Sequence, residues 1–301
     1  MPRVLFASLF LALLAGAFLR EASSQSNFTQ PLAPDVYWRA ADRDKRIIAN
    51  AGWVVFRDYV LVIDANYPWG ARAILDDIRK TTSKPIRYVF DTHYHADHAF
   101  GNSLFVDAGA TIVCTEECVA ESRKKNVPAW EKASASSPAD YQGQRLEHPQ
   151  VGFRDKLVFD DGQHRVELLR LGPGHTRGDA VAYLPKEKIL FTGDLCVNFA
   201  GNNVADPDAD PDNWLRALDA MSQMDVGRLI PGHGAQGSAE TLRGQRAYLA
   251  AMIHGVRAGL EKGLTADQLV SQIDLSAHKP WGQDATRNAG SIRAIYAKLK
   301  R

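Results

Sequence analysis

Thr92-His93-Tyr94-His95-Ala96-Asp97-His98 places four potential metal ligands within six consecutive residues. The stretch follows the apolar run 86–91 and precedes Gly101-Asn102, a pattern typical of a loop at the end of a β-strand. Imidazole and carboxylate groups are ligands for zinc and similar divalent transition metals. Three histidines and an aspartate at this density favour a metal-binding loop over a solvated polar turn.

The spacing of these ligands predicts two metal ions rather than one. If the backbone is extended from His93 to His95, both imidazoles project to the same side of the chain and can bind one ion. Asp97 and His98 follow where the chain begins to turn, so they point elsewhere and can hold a second ion. Two ions need more ligands than this loop supplies.

Three further candidate ligands are His175, Asp194 and His233. Each follows an apolar run with the character of a strand and is preceded directly by a glycine. Glycine lets the backbone bend close to a site. The same order of strand, glycine and ligand therefore recurs, which predicts that these side chains meet the first loop.

Together these motifs resemble those of the metallo-β-lactamase-fold metallohydrolases. The match extends from about residue 54 to residue 233 and consists of H-x-H-x-D-H from His93, G-H-T from Gly174, G-D from Gly193 and P-G-H-G from Pro231. The resemblance implies that Asp194 bridges two metal ions and that Asp64 supports a ligating histidine from outside the first coordination sphere. The ligands that it implies for the two ions are His93, His95 and His175 for one, and Asp97, His98 and His233 for the other.

The chemistry implied by this ligand set is metal-assisted hydrolysis. Two divalent ions, expected to be zinc with iron or manganese as alternatives, would share a water and lower its pKa from about 15.7 towards about 7. The resulting bridging hydroxide would attack a carbonyl or phosphoryl centre. Asp97 and Asp194 are the expected catalytic residues, since they would also orient this nucleophile.

The expected substrate is a small molecule with an ester, thioester or lactone carbonyl. An aspartate at position 194 resembles the glyoxalase-II-like thioesterases and lactonases of this fold, whereas typical β-lactamases have cysteine or serine there. No lysine or arginine follows Asp194 within ten residues to bind a lactam carboxylate. β-Lactam hydrolysis is the alternative, then phosphodiester hydrolysis, and a metal-binding relay protein without catalysis is a further possibility.

The predicted fold class is α/β. Strand-like runs alternate with helical segments, and Ala71, Ile74, Leu75 and Ile78 lie on one helical face. Later strands are predicted in pairs, 155–159 with 165–171 and 180–184 with 189–192. The resemblance names this arrangement an αββα sandwich, to which helices in 238–301 are added, so that 25–301 forms a single domain.

Residues 1–24 have the pattern of a secretory signal peptide, with a basic start, an apolar centre and small residues at its end. We therefore expect an exported protein, periplasmic or secreted, without membrane association after cleavage. Removing two arginines and one glutamate from 36 basic and 35 acidic residues leaves 34 of each, which argues against a nucleic-acid partner. The sequence does not determine the oligomeric state.

Three other segments carry weaker expectations. Residues 126–150 are predicted to form a long polar loop, with a lid over the metals favoured. The acidic stretch 205–212 is expected to be a solvated connection rather than a calcium-like oxygen site. Cys114 and Cys118 are expected to be buried as small apolar groups, whereas Cys196, two residues after Asp194, is expected to line the pocket or to be oxidised there.

Overall fold

The computed structural model describes residues 29–42, 44, 46–201 and 203–300, so the predicted signal segment 1–24 lies outside the described residues. A seven-stranded sheet has its strands in chain order. They are β1 (Thr29–Ala33), β2 (Val36–Arg39), β3 (Ala51–Val55), β4 (Val60–Ile63), β5 (Ile86–Phe90), β6 (Thr111–Thr115) and β7 (Val151–Phe153). Strands β1 to β4 pair antiparallel, and β4 to β7 pair parallel.

A second sheet has five strands in the order β13, β11, β10, β9, β8. The remaining strands of the fold, in chain order, are β8 (Lys156–Asp160), β9 (Arg165–Arg170), β10 (Ala180–Leu184), β11 (Ile189–Phe191), β12 (Val197–Asn198), β13 (Arg228–Ile230) and β14 (His233–Gly234). The short strands β12 and β14 pair with each other. Both predicted strand pairs are confirmed as antiparallel pairs, β8 with β9 and β10 with β11.

Helices cover the outer faces of both sheets. They are α1 (Pro68–Thr81), α2 (Ala96–Ala99), α3 (Asn102–Asp107), α4 (Glu116–Glu121), α5 (Val127–Ser136), α6 (Pro138–Tyr141), α7 (Pro211–Ser222), α8 (Ala239–Glu261), α9 (Ala266–Gln272) and α10 (Ala285–Leu299). A π-helical turn, Ser122–Asn126, joins α4 to α5, and 3₁₀ turns occur at Gly193–Leu195 and Trp281–Gln283. Among the residues described, no helix is both long enough and apolar enough to span a membrane.

The core is layered because alternate residues of a strand face opposite sides of its sheet. Val54 faces the second sheet and packs in a cluster with Phe90 and Phe191. Its neighbours Trp53 and Val55 face the other way, into a cluster with the buried face of α1. Helices α7 to α10 cover the far side of the second sheet. This order of layers confirms the predicted αββα sandwich and its additional C-terminal helices.

The layers place the candidate ligands at one edge. Strands β4 and β5 are parallel, as are β11 and β13, so the carboxyl ends of each pair lie side by side. Asp64 directly follows β4, and the loop from His93 to His98 begins three residues after β5. Asp194 lies in the turn after β11, and His233 lies three residues after β13. Four separate strand ends therefore deliver these side chains to the same region.

The prediction of a long loop at 126–150 is wrong for much of its length, because α5 and α6 lie within it. Helix α5 has no buried residue. A helix without a buried face has no apolar stripe in its sequence, so periodicity does not reveal it. Trp130 fixes the segment through ring contacts with Phe100 and Tyr141, at centroid distances of 5.1 and 4.9 Å.

Candidate metal centre

The structure brings together all seven side chains that the sequence predicts as metal ligands. In the first ligand set (His93, His95 and His175), ligand atoms lie within 4.8 Å of one another. The closest pair is His175 Nε2 and His95 Nδ1, 3.0 Å apart. Three nitrogens that converge in this way suit a divalent metal ion.

The second ligand set (Asp97, His98 and His233) lies beside the first. His233 Nε2 is 3.2 Å from Asp97 Oδ2, and His98 Nε2 is 3.9 Å from the same oxygen. Asp194 lies between the sets. Its Oδ1 is 3.3 Å from His233 Nε2, while its Oδ2 is 3.5 Å from His175 Nε2. This position is the one expected of a bridging carboxylate.

In each of the five histidines, the ring nitrogen that faces away from the centre contacts a partner outside it. These partners are Thr92 Oγ1 for His93, Asp206 Oδ2 for His95, Asp64 Oδ2 for His98, the Asn203 carbonyl for His175 and the Ile48 carbonyl for His233. Such contacts fix the ring orientation and tautomer of a metal-ligating histidine. The structure therefore presents five imidazoles that are already aimed at one another.

Three of the converging atoms are buried and lack hydrogen bonds. Within the described part of the chain, His93 Nε2, His98 Nε2 and Asp194 Oδ1 have no hydrogen-bond partner. Buried polar atoms are normally paired, because an unpaired one costs free energy. These atoms without hydrogen bonds are also the ones that face the centre, so the residues fit a pair of metal ions.

Asp64 has the supporting position that the sequence predicts. Its Oδ2 lies 2.8 Å from His98 Nδ1, and its Oδ1 accepts a 2.8 Å hydrogen bond from the Thr92 amide. The backbone of Asp64 is left-handed, with φ at 63°. A non-glycine residue is seldom found there and is retained when its surroundings hold it. The bonds to Thr92 and His98 supply that restraint.

The charges of the second set depend on one another. Burial lowers the pKa of His233, but Asp194 and Asp97 outweigh it and raise that pKa to about 10. The pKa of His98 is likewise raised, because Asp64, Asp97 and Asp194 outweigh its burial. Burial alone would raise the pKa of Asp97, yet His98 and His233 hold it below its usual range. In the metal-free protein, protonated imidazoles thus balance these carboxylates at neutral pH.

This balance predicts that metal stabilises the protein more as pH rises from 6 to 9. The raised pKa of His233, about 10, gives the metal-free fold stability that is complete below the unfolded value of about 6.5 and is lost as pH rises towards 10. A metal ion must displace that proton, so its affinity increases over the same range. Differential scanning calorimetry with and without zinc measures the shift in Tm. A shift that stays constant or shrinks with pH contradicts the prediction.

Sequence reasoning missed Asp206, because the acidic stretch 205–212 was expected to be solvated. That expectation is wrong for Asp206, whose exposed fraction is 8%. Its Oδ2 lies 3.2 Å from His95 Nε2 and accepts a hydrogen bond from the Tyr94 hydroxyl. Lys125 Nζ lies 3.3 Å from Asp206 Oδ1 and 2.8 Å from Asp208 Oδ2. An ammonium group therefore occupies the centre of this acidic cluster.

A cavity of about 630 Å³ opens onto the metal centre. It is lined by ligands of both sets and by Asp194, and the apolar part of its wall is formed by Ala41, Ile48, Val197 and Phe199. Arg287, from the first turn of α10, also lines it. This arginine is far from the ten residues that follow Asp194 in the sequence, and the C-terminal helix brings it to the site.

Two expectations about the pocket are wrong. No described residue of 126–150 lines the cavity, so this segment forms no lid over it in the structure. Cys196 is fully buried and absent from the described cavity wall. Burial also raises the pKa of its thiol, which keeps the group protonated and unreactive. Cys114 and Cys118 are buried, as expected, and both are free thiols.

The chain is similar to known proteins in sequence and in fold. The sequence profile of the metallo-beta-lactamase superfamily matches residues 45–233. A linear primary-alkylsulfatase from Pseudomonas sp. (strain ATCC 19151) is 23% identical over 245 residues, which cover 69% of this chain and 46% of the relative. The chain thus spans about half the length of this curated relative.

Solved structures share the fold. The sec-alkylsulfatase Pisa1 from Pseudomonas sp. has a TM-score of 0.69 at 18% identity, over 90% of this chain and 50% of that one. A metallo-beta-lactamase from Pontibacter korlensis has a TM-score of 0.59 at 21% identity, over 74% of this chain and 98% of that one. With a family match over more than half of its length and the full set of candidate ligands in place, the chain belongs to the metallo-beta-lactamase superfamily.

Proposed function

We propose that this protein is a dinuclear metal-dependent hydrolase of a carboxylic ester, thioester or lactone that carries an apolar group. The observation that carries the proposal is the cavity, which joins a centre of two ligand sets to an apolar wall. Ile48 and Phe199, with exposed fractions of 39% and 40%, are two of the few large apolar side chains that are exposed among the described residues. Exposed apolar groups beside a polar centre are typical of a substrate site.

The first ligand set would hold one ion, the second set the other, and Asp194 both. Divalent ions bound there would lower the pKa of a water molecule and polarise the bond to be cleaved. Among the described cavity residues there is no serine, threonine, cysteine or lysine. A hydroxyl, thiol or amine nucleophile is therefore not at hand, and direct attack by water is the route that we propose.

Asp97 and Asp194 are the proposed catalytic residues. Both carboxylates line the cavity. Although burial opposes ionisation, neighbouring imidazoles hold the pKa of each below its usual range. Each therefore remains a carboxylate at neutral pH, and its oxygens can accept a hydrogen bond from the attacking water and so orient it.

A sulfate ester of an alkyl chain is the second candidate. The two alkylsulfatases named above match this chain over 69% and 90% of its length, and the apolar wall suits an alkyl group. A β-lactam is less well supported, because position 194 resembles the thioesterase and lactonase pattern. Export to the periplasm or the medium, predicted from residues 1–24, remains part of the proposal.

The experiment is a metal assay of the purified protein with a substrate panel: an aryl ester, a thioester, a lactone, an alkyl sulfate, nitrocefin and a phosphodiester. We expect two equivalents of metal and turnover of a carbonyl ester that a chelator abolishes and zinc restores. Preference for the alkyl sulfate, nitrocefin or phosphodiester would replace the proposed bond class. Bound metal without any turnover would support the non-catalytic binding protein instead.

A further inference from the structure

We infer that Arg287 is a specificity residue that binds a carboxylate of the substrate in the cavity beside Phe199. The inference rests on the proposed function and narrows its substrate class to an anionic ester. Arg287 is the one lysine or arginine among the described residues that line the cavity. It belongs to α10, outside the residues 45–233 that match the superfamily profile.

The position of Arg287 relative to the metal centre comes from two contacts. Its guanidinium lies 5.3 Å from the centroid of the Phe199 ring. That ring in turn lies 6.0 Å from the ring of His233, a member of the second ligand set. One aromatic ring therefore separates the cation from the metal ligands. A substrate that spans this interval has a cleavable bond at the centre, an apolar portion over Phe199 and an anion at Arg287.

The guanidinium has donors to spare for such an anion. Its ion pair with Asp284 is long, with 3.7 Å between Nε and Oδ2. The other carboxylate oxygen of Asp284 caps α10 by accepting a hydrogen bond from the Arg287 amide. Within the part of the chain that the structure describes, no acceptor bonds to the terminal nitrogens Nη1 and Nη2. These two nitrogens form the planar fork that matches a carboxylate.

Phe199 packs against the guanidinium group of Arg287. A guanidinium over an aromatic face is attracted by the ring quadrupole and stacks without losing its in-plane donors. The Arg287 side chain is 43% exposed, so a carboxylate can approach it from solvent. Since the pair would be only partly desolvated, we expect it to affect substrate binding about tenfold.

The test compares two substrates and two variants of the full chain. The substrates are a 4-nitrophenyl ester of a short dicarboxylic acid, whose far end is ionised, and the same ester with its far end as a neutral amide. The variants are Arg287→Met and, as a control on the same helix, Arg293→Met. Arg293 pairs with Asp267 and does not line the cavity.

We expect the wild type to prefer the anionic ester in kcat/KM and Arg287→Met to lose about tenfold of that preference, mainly through a higher KM. Arg293→Met should keep it. Added salt should also raise KM for the anionic ester, because the pair is exposed. A wild type that does not discriminate, or equal losses in both variants, would overturn the inference.

A binding measurement separates this inference from the proposed function. If no ester in the panel is cleaved, calorimetry can still measure whether Arg287 contributes to anion binding. The ligand is the monoamide of the same dicarboxylic acid, which keeps one ionised end. Binding that weakens about tenfold in Arg287→Met and not in Arg293→Met supports the anion site without ester turnover. Binding that is the same in both variants, or undetectable, rejects it.

Discussion

The substitution His95→Ala is expected to lower hydrolysis by at least about 10³-fold, in the range seen when one member of a catalytic group is removed. His95 Nδ1 lies 3.0 Å from His175 Nε2, so the change removes one of the three nitrogens of the first ligand set. The fold should survive, because the His95 side chain is 23% exposed and its removal opens no sealed cavity. His93 and His98 are buried and would be poorer choices.

Three measurements on His95→Ala test whether His95 is a metal ligand that hydrolysis requires: kcat/KM, metal content and Tm. We expect metal to fall from two equivalents towards one, with a change in Tm below about 4 °C for the metal-free protein. His254→Ala is the matched control, since His254 is exposed on α8 and absent from every potential metal cluster described. Full activity in His95→Ala would exclude the proposed mechanism. A collapse of Tm would show instead that His95 stabilises the fold.

The sequence predicts the ligand set well for a physical reason. Each ligand lies in the segment that follows a strand of one of the two sheets, either beside a glycine or within the dense loop from His93 to His98, so the local sequence indicates both its chemistry and its place. The two sheets could be predicted for a similar reason, because a strand such as β3, which is buried at every position, stands out in the sequence as a short continuous apolar run. Local sequence was sufficient to predict the position of a residue wherever that position depends only on the strand or loop to which the residue belongs.

The features that sequence reasoning missed depend on contacts between distant segments. Asp206 lies in an acidic stretch that has no pattern of burial, and its role appears only when the loop meets His95 and Lys125. Arg287 reaches the cavity because α10 packs against α8 and α9. Helix α5 buries no residue and so gives no periodic signal. In each case the missing information is tertiary.

Asp206→Asn is expected to weaken metal binding by the first ligand set about 10- to 100-fold, the range known for partners that support a metal-ligating histidine. The carboxylate lies 3.2 Å from His95 Nε2 and favours the tautomer that leaves Nδ1 free to bind metal. An asparagine has nearly the same shape but lacks the negative charge that holds the His95 ring in this orientation. The second ligand set makes no described hydrogen bond to Asp206 and should keep its affinity.

Competition with a chelator of known affinity, followed for each equivalent of zinc, measures the zinc affinities of the two ligand sets separately. Asp208→Asn is the matched control, because Asp208 also binds Lys125, at 2.8 Å, but has no described contact with His95. Asp206→Asn should therefore lower one affinity selectively, whereas Asp208→Asn should change neither by more than about threefold, the scale of an exposed ion pair. Equal weakening by both variants would mean that the cluster around Lys125 acts on the loop as a whole. Selective weakening would assign Asp206 as the residue that positions His95, and would explain why Tyr94 and Lys125 hold its carboxylate in a buried site.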